Sequence, residues 1–156
     1  LREVLEGFEA GQPMLACRSG SWDELGKDAG PLRQRVFEAE QGVPMDMGGD
    51  AADAGAVHVV AYNRFGLAVG TGRLLREDAG RARIGRVAVF AALRGSGVGA
   101  QVMHALAAAA RARGDRDVVL AAQASALRFY ERLGYVPHGA PFEEAGRQHQ
   151  QMVLAL

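Results

Sequence analysis

The chain has 156 residues with 18 Lys or Arg and 18 Asp or Glu, so its formal net charge is zero. That balance gives no electrostatic reason to expect nucleic acid or a membrane surface as a partner. The single cysteine, Cys17, excludes an internal disulfide framework and a thiolate metal cluster, and its apolar surroundings favour a small buried side chain over a nucleophile. Since no apolar run reaches membrane-spanning length, we predict one cytoplasmic domain over residues 1–156.

The beginning of the chain predicts a short strand and then a helix. Residues 1–12 are polar and punctuated by glycine, and a strand is expected at about 13–18. Ser21 and Glu24 have the spacing of a capping box, in which each side chain satisfies an unpaired amide at a helix start. A helix is therefore predicted to begin there.

Gly30 and Pro31 are expected to break this helix. Pro31 suits the first turn of a second piece, LRQRVFEAEQ, which ends near Gly42. Residues 42–55 have no periodicity and carry Gly, Pro and three aspartates. Connections of that length inside a compact domain are usually functional or mobile, so we predict a loop with a role in the site.

The second half of the chain predicts a β meander and then alternating helices and strands. Three β-rich runs joined by short turns indicate antiparallel strands. A helix follows the segment RGSGVG, with Gly114 as its C-cap. The predicted strands are 56–62, 67–76, 81–90, 117–122 and about 147–154, and a short helix is predicted at 125–134. This order is typical of an α+β (mixed α/β) fold with at least one β-α-β crossover.

The segment RGSGVGAQ, residues 94–101, lies between a predicted strand and a predicted helix. The first amides of a helix have no partner within it, and glycines let an anion approach them closely. Arg94 can add a charge-assisted contact. The segment lacks both the Walker lysine and the G-x-G-x-x-G spacing. It is predicted to bind phosphate, and the alternative is a turn whose small residues allow close helix packing.

Two motifs in this half resemble the GNAT superfamily of N-acetyltransferases. Residues 94–99 match its R/Q-x-x-G-x-G/A signature, and ALRFYERLGY, residues 126–135, is similar to its second signature. The resemblance covers roughly residues 13–156. It implies a twisted, mostly antiparallel sheet of about six to seven strands, with splayed central strands and flanking helices.

Other segments resemble a narrower group, the ElaA/YjcF-like bacterial branch of that superfamily. They are LRQRVFEAEQGVP at 32–44, the tail at 141–152, and Asp50, Asp53 and His58.

The resemblance implies acetyl-CoA as the cofactor. Its pyrophosphate would lie on the glycine segment and its pantetheine arm along the fourth strand, where Gly85 would allow a bulge. Gln123 stands where many members have Asn, seven residues before the second signature's tyrosine. The implied cofactor-binding residues are Val87, Ala88, Val89, Arg94, Gly95, Ser96, Gly97, Val98, Gly99, Ala100, Gln123, Ala126 and Phe129.

The same resemblance implies transfer of an acetyl group to a primary amine of a small molecule or peptide. Tyr130 occupies the position of the general acid, since a phenol can protonate a departing thiolate; the alternative is an aromatic that only packs on the cofactor. A backbone N–H at or near Val89 would stabilise the oxyanion. Glu40, His58 and His149 are candidate substrate contacts and bases, although each also fits a purely structural position.

Further expectations concern the surroundings of the site. An acidic rim of Glu38, Glu40, Asp46, Asp50 and Asp53 could attract a cationic amine. The four histidines, at 58, 104, 138 and 149, lack metal-ligand spacing, so no metal is predicted. The resemblance makes a homodimer plausible. Two alternative functions remain, namely a catalytically silent acyl-CoA sensor and a generic nucleotide-phosphate binder.

Overall fold

The computed structural model describes residues 15–156 as one mixed sheet with helices on both faces. The α-helices of this part of the chain are α1 (Trp22–Gln41), α2 (Val98–Ala112) and α3 (Leu127–Arg132). Short 3-10 turns span Ala51–Gly55, Ala91–Leu93 and Ala124–Ala126. The strands are β1 (Ala16–Gly20), β2 (Val57–Tyr62), β3 (Ala68–Asp78), β4 (Arg81–Val89), β5 (Asp117–Gln123), β6 (Val136–Pro137), β7 (Phe142–Glu144) and β8 (Arg147–Ala155).

The strand order is β1-β2-β3-β4-β5-β8-β6, and β7 also pairs with β8. Among the strand pairs of residues 15–156, only β4 and β5 run parallel, because the chain crosses over through α2 between them. The predicted α+β fold with a mostly antiparallel sheet is confirmed. Within residues 15–156 the sheet has eight strands, because the short strands β6 and β7 add to those predicted from the sequence. Strands of two and three residues carry too little pattern to be read from the sequence.

The predicted capping box at the start of α1 is confirmed. The Ser21 hydroxyl accepts from the Glu24 amide at 3.3 Å, and a Glu24 oxygen accepts from the Ser21 amide at 3.1 Å. The preceding strand, β1, ends at Gly20, two residues past its predicted end at about 18. Cys17 on that strand is exposed, so its predicted burial is wrong. The predicted polar lead-in at 1–12 lies outside the described residues.

The predicted break at Gly30 and Pro31 is wrong, because α1 continues through both residues. A proline inside a helix removes one backbone hydrogen bond, and the packing of the 20-residue helix on the sheet outweighs that loss. Packing, and not a helix break, explains the glycine at position 30. A Cβ there would lie 2.2 Å from the carbonyl oxygen of Met47, so glycine lets the following loop rest directly on α1.

Two apolar layers hold the sheet between the helices. On one face α2 packs on the central strands through Val98, Val102 and Leu106, all with no exposed surface. On the other face α1 contributes two smaller clusters, one around Leu25 and one around Leu32. None of the helices within residues 15–156 is long and apolar enough to cross a membrane.

The pairing of β4 changes halfway along the strand. Arg73 on β3 stands opposite Gly85, whereas Thr71 stands opposite Ala88, so β4 holds one extra residue between these pairs. Such a bulge reverses the face on which the following side chains lie. The predicted bulge therefore forms next to Gly85, but its positive φ of 52° falls on Arg86.

Candidate active site

A cleft opens between the two parallel strands. β4 and β5 pair only at Arg81, Ala82 and Arg83, opposite residues 117–119. Beyond these pairs the strands diverge, and the inner edge of β4 from residue 84 to 89 has no partner strand. Unpaired strand amides and carbonyls are a ready template for an extended ligand, so this edge can hold a linear, amide-containing chain.

The glycine turn closes the upper end of this cleft. Gly95 and Gly97 both have positive φ, at 86° and 93°, and Gly97 is the N-cap of α2. The amides of residues 97–100 are therefore the first four of the helix, which have no partner within it. These free amides, next to two glycines, have the arrangement that the sequence predicted for an anion site. The Ser96 amide is an exception, because it donates to the Leu93 carbonyl at 3.1 Å.

The side chain of Arg94 points to the end of α1. It forms an ion pair with Glu40 and also donates to the Val89 carbonyl at 3.2 Å. Two residues predicted separately, one for the cofactor and one for the substrate, thus contact each other across 54 positions of sequence. In this arrangement the Glu40 carboxylate is paired with a cation beside the glycine turn.

The second predicted motif packs against the first. A Cβ on Gly99 would lie 3.1 Å from the Phe129 ring, so glycine at that position lets α3 approach the start of α2. The Phe129 and Tyr130 rings stand edge to face at 5.0 Å, and Tyr130 meets Tyr135 at 5.9 Å. The Tyr130 hydroxyl has no hydrogen-bond partner among residues 15–156, and burial raises the pKa of this phenol to about 12.

Gln123 ends β5, the second strand of the cleft, and His149 lies on the neighbouring strand β8. These residues face each other across β5 and β8. The Gln123 amide donates to Gln41 at 3.2 Å, so the end of α1 reaches both sides of the cleft. The His149 ring stacks on Phe142 at 5.5 Å, with its Nδ1 atom 2.9 Å from the Arg147 carbonyl. Because a carbonyl only accepts, Nδ1 carries a proton, and in the neutral ring Nε2 then has the lone pair.

The third predicted substrate contact, His58, lies elsewhere. It has no exposed surface, and its ring packs on Trp22 at 4.9 Å. Nε2 lies 2.9 Å from the Asp53 carbonyl, and Nδ1 lies 3.4 Å from Arg33. Burial, together with the charge of Arg33, lowers the pKa of His58, so the ring is neutral at pH 7. This environment gives His58 a structural position and no open path to a substrate.

His58 belongs to a buried charge network that the sequence did not predict. Asp53 accepts from Arg33 and from Arg73, each at 2.9 Å. Burial alone would raise the pKa of Asp53, but these hydrogen bonds and that of the Asp50 amide hold it far below its usual value. The spacing of Asp50 and Asp53 could have predicted part of this network, because the two residues form a capping box at the 3-10 turn.

Most acids of the predicted rim already have partners within the protein, so only part of the rim can attract a cationic amine. Asp50 and Asp53 are bound to arginines, and Glu38 accepts from the Met45 amide at 2.9 Å. Asp46 is exposed. Among residues 15–156, no three His, Cys, Asp or Glu side chains are placed to hold a metal ion.

Comparison with known proteins agrees with this geometry. Residues 25–156 match the family model of the acetyltransferase (GNAT) domain. The acyl-CoA N-acyltransferase from Pseudomonas aeruginosa has a similar crystal structure, with a TM-score of 0.77 and 32% identity over 91% of this chain and 100% of that one. The fold and the cleft thus define the class, and the chain belongs to the GNAT family of acyl-CoA-dependent N-acetyltransferases.

Two relatives define the branch. YjcF of Bacillus subtilis is 36% identical over 132 residues, covering 84% of this chain and 93% of YjcF. ElaA of Escherichia coli is 36% identical over 122 residues, covering 76% of this chain and 79% of ElaA. The ElaA crystal structure has a TM-score of 0.78 and covers 90% of this chain. The chain is therefore a GNAT enzyme of the ElaA/YjcF-like branch.

The residues present fit acyl-CoA. The free amides at the start of α2, beside Arg94, suit a pyrophosphate, and the unpaired edge of β4 suits the pantetheine amides. A Cβ at Gly99 would meet Phe129 and crowd this cradle. Bound there, acyl-CoA supplies an acyl group activated as a thioester.

Proposed function

We propose that the protein transfers an acetyl group from acetyl-CoA to a primary amine of a small molecule or peptide by direct attack, with Tyr130 as the general acid. The observation that carries this proposal is the cleft itself. Its phosphate end lies at Arg94 and the start of α2, and Tyr130 follows directly on the residue that packs against Gly99.

The protonation of the Tyr130 phenol supports its proposed role as the general acid. A phenol with a pKa of about 12 keeps its proton at every working pH, so a donor is always present. Proton transfer from such a phenol to the thiolate of a thiol with an ordinary pKa near 8.5 is uphill. The same exclusion of water disfavours a thiolate and raises the pKa of the leaving thiol, which reduces this mismatch.

His149 is the base in this proposal. Of the three residues predicted to touch substrate, Glu40 is paired with Arg94 and His58 is buried. His149 lies beside Gln123 at the cleft, and its Nε2 lone pair can take a proton from the attacking amine, directly or through water.

Calorimetry and turnover together test the proposal. Wild type and Tyr130→Phe are titrated with acetyl-CoA, and thiol release is then followed over a panel of primary amines. We expect equal binding and a turnover lowered about 10²- to 10⁴-fold in Tyr130→Phe. Tyr62→Phe is the matched control, because Tyr62 bonds to Asp28 at 2.6 Å on the far side of α1. Unchanged turnover in Tyr130→Phe at all pH values would remove Tyr130 as the acid.

A further inference from the structure

The end of α1 crosses the cleft from one strand to the other. Leu32 and Val36 pack on Ala88 of β4. Further along the helix, its last residue, Gln41, contacts Gln123 at the end of β5. The pairing of β4 with β5 has already ended, at residues 83 and 119. The last turns of α1 therefore span the gap between the two diverging strands on one face of the sheet.

The same helix end also reaches the glycine turn. Glu40, the neighbour of Gln41, forms the ion pair with Arg94. Two successive residues of α1 thus contact the segment that is predicted to bind phosphate and the last residue of β5. An extended ligand that begins at the glycine turn and follows the unpaired edge of β4 would pass along the end of α1.

The backbone of this helix end is fixed by its cap. Gly42 has a positive φ of 66°, and its amide donates to the Glu38 carbonyl at 3.0 Å. The Val43 amide donates to the Phe37 carbonyl at 3.1 Å. A side chain on a fixed backbone that already holds a partner loses less conformational freedom when a ligand binds. Gln41 is therefore prepared for binding before a ligand arrives.

The contact between Gln41 and Gln123 leaves hydrogen-bonding groups unused. The Gln123 Nε2 atom donates to Gln41 Oε1 at 3.2 Å. Neither Gln123 Oε1 nor Gln41 Nε2 has a hydrogen-bond partner among residues 15–156. A side-chain amide has one oxygen acceptor and two N–H donors. The pair thus presents an acceptor on one residue beside donors on the other, which is the complement of a secondary amide.

The surroundings of the pair favour a neutral group over an ion. Side-chain amides carry no charge, and the charges of Glu40 and Arg94 neutralise each other. The pair is also accessible, because Gln123 is half-buried and Ala121, on the same face of β5, is exposed. The end of α1 therefore suits a polar, uncharged group that enters between the strands.

We propose that Gln41 belongs to the acyl-CoA site, and that Gln41 and Gln123 together hold a secondary amide of the pantetheine arm. Gln123 Oε1 accepts from the amide N–H, and Gln41 Nε2 donates to the amide carbonyl. The unpaired edge of β4 lies on the other side of the arm. This assignment requires acyl-CoA as the ligand, and it does not depend on the amine, on Tyr130 or on acetyl transfer.

Two ligands separate the pantetheine arm from the phosphates. Acetyl-CoA contains both, whereas 3′-phospho-ADP is its nucleotide part with the pyrophosphate and without the arm. Each is titrated by calorimetry into the full wild-type chain and into Gln41→Met, whose side chain has a similar length but lacks the amide. We expect Gln41→Met to lower the acetyl-CoA affinity roughly 2- to 10-fold, as expected for one neutral hydrogen bond, and to leave the 3′-phospho-ADP affinity unchanged.

Gln148→Met is the matched control. Gln148 is exposed on β8, and its side chain makes no hydrogen bond within residues 15–156. This variant should bind both ligands as wild type does. An unchanged acetyl-CoA affinity in Gln41→Met overturns the proposal. An equal loss for both ligands also overturns it, because a general change of the cleft would then explain the effect.

A double-mutant cycle tests whether the two glutamines act on one group. Gln41→Met, Gln123→Met and the double variant are titrated with acetyl-CoA. Residues that hold the same amide give losses that do not add. We expect the double variant to lose less than the product of the two single losses. A loss equal to that product would mean independent contacts and would overturn the shared amide.

The fate of the proposed function is read separately. If wild type binds acetyl-CoA, with the predicted loss in Gln41→Met, but acetylates none of the amines, the proposed function is refuted and the assignment of Gln41 stands. If amines are acetylated and Gln41→Met binds acetyl-CoA as wild type does, the assignment of Gln41 is refuted and the proposed function stands.

Discussion

The ring of Phe129 lies where a Cβ on Gly99 would be only 3.1 Å from its Cζ atom. This close approach joins the two family signatures, which are far apart along the chain. It also means that the first turn of α2 and the start of α3 support each other beside the glycine turn.

Gly99→Ala should weaken acyl-CoA binding. The added methyl group would displace Phe129 or tilt the helix start, and it would also stand among the free amides proposed to hold the phosphate. We expect a loss of about 10-fold in acetyl-CoA affinity by calorimetry, which corresponds to about 1.4 kcal/mol. His104→Ala, on an exposed position one turn further along α2, is the control and should bind normally. Equal affinities in the two variants would contradict the cradle.

Glu40→Gln should tighten acyl-CoA binding. In the free enzyme Glu40 holds Arg94, and a bound pyrophosphate would compete for the same guanidinium. Loss of an exposed pair of this kind changes affinity by a factor of about 2 to 5. The gain should disappear when Arg94→Gln is added. A large fall in kcat with unchanged affinity would instead make Glu40 the base.

Asp53→Asn should destabilise the fold strongly. Arg33 and Arg73 would remain buried without their shared carboxylate, and breaking a buried pair costs about 3–5 kcal/mol. Urea unfolding measures the loss. Asp117→Asn removes an exposed pair with Arg81 and should change the unfolding free energy little. A comparable loss in both variants would show that burial is not the cause.

The pH dependence of the unfolding free energy should also show the contribution of ionised Asp53. Because the folded pKa of Asp53 is below its unfolded value of about 3.9, its stabilisation is fully present above that value. It is lost as pH falls toward the folded pKa. We therefore expect the difference in unfolding free energy between wild type and Asp53→Asn to be constant from pH 5 to 7 and to shrink below about pH 4. A difference that grows on acidification would contradict this sign.

Gly30→Ala should destabilise the protein although alanine favours helices. The intrinsic gain is about 1 kcal/mol, whereas the new Cβ would lie 2.2 Å from the Met47 carbonyl and push the loop off α1. We expect a net loss of about 1–2 kcal/mol in urea unfolding. Gly55→Ala is the control, since nothing lies within 4 Å of its Cβ position. A more stable Gly30→Ala would show that the loop yields freely.

The sequence alone determined the elements whose signals are local. The capping box at Ser21, the meander and the helix after the glycines follow from patterns of a few neighbouring residues, and each is found where it was predicted. The free amides at the start of α2 belong to the same group, because helix amides and glycines are a property of one short segment, and phosphate binding there stays a prediction. The two signatures likewise identified the family before any geometry was known.

Only the tertiary structure decided how distant segments meet. The sequence placed a break at Gly30 and Pro31, but packing on the sheet and on Met47 keeps α1 whole. It offered Glu40, His58 and His149 as equal candidates. The folded chain pairs the first with Arg94, buries the second and leaves the third on β8, opposite Gln123. Desolvation and charge pairing depend on which side chains meet in space, and no local pattern carries that information. The positive φ of Arg86 arises for the same reason, from a bulge that one extra residue in β4 creates against β3.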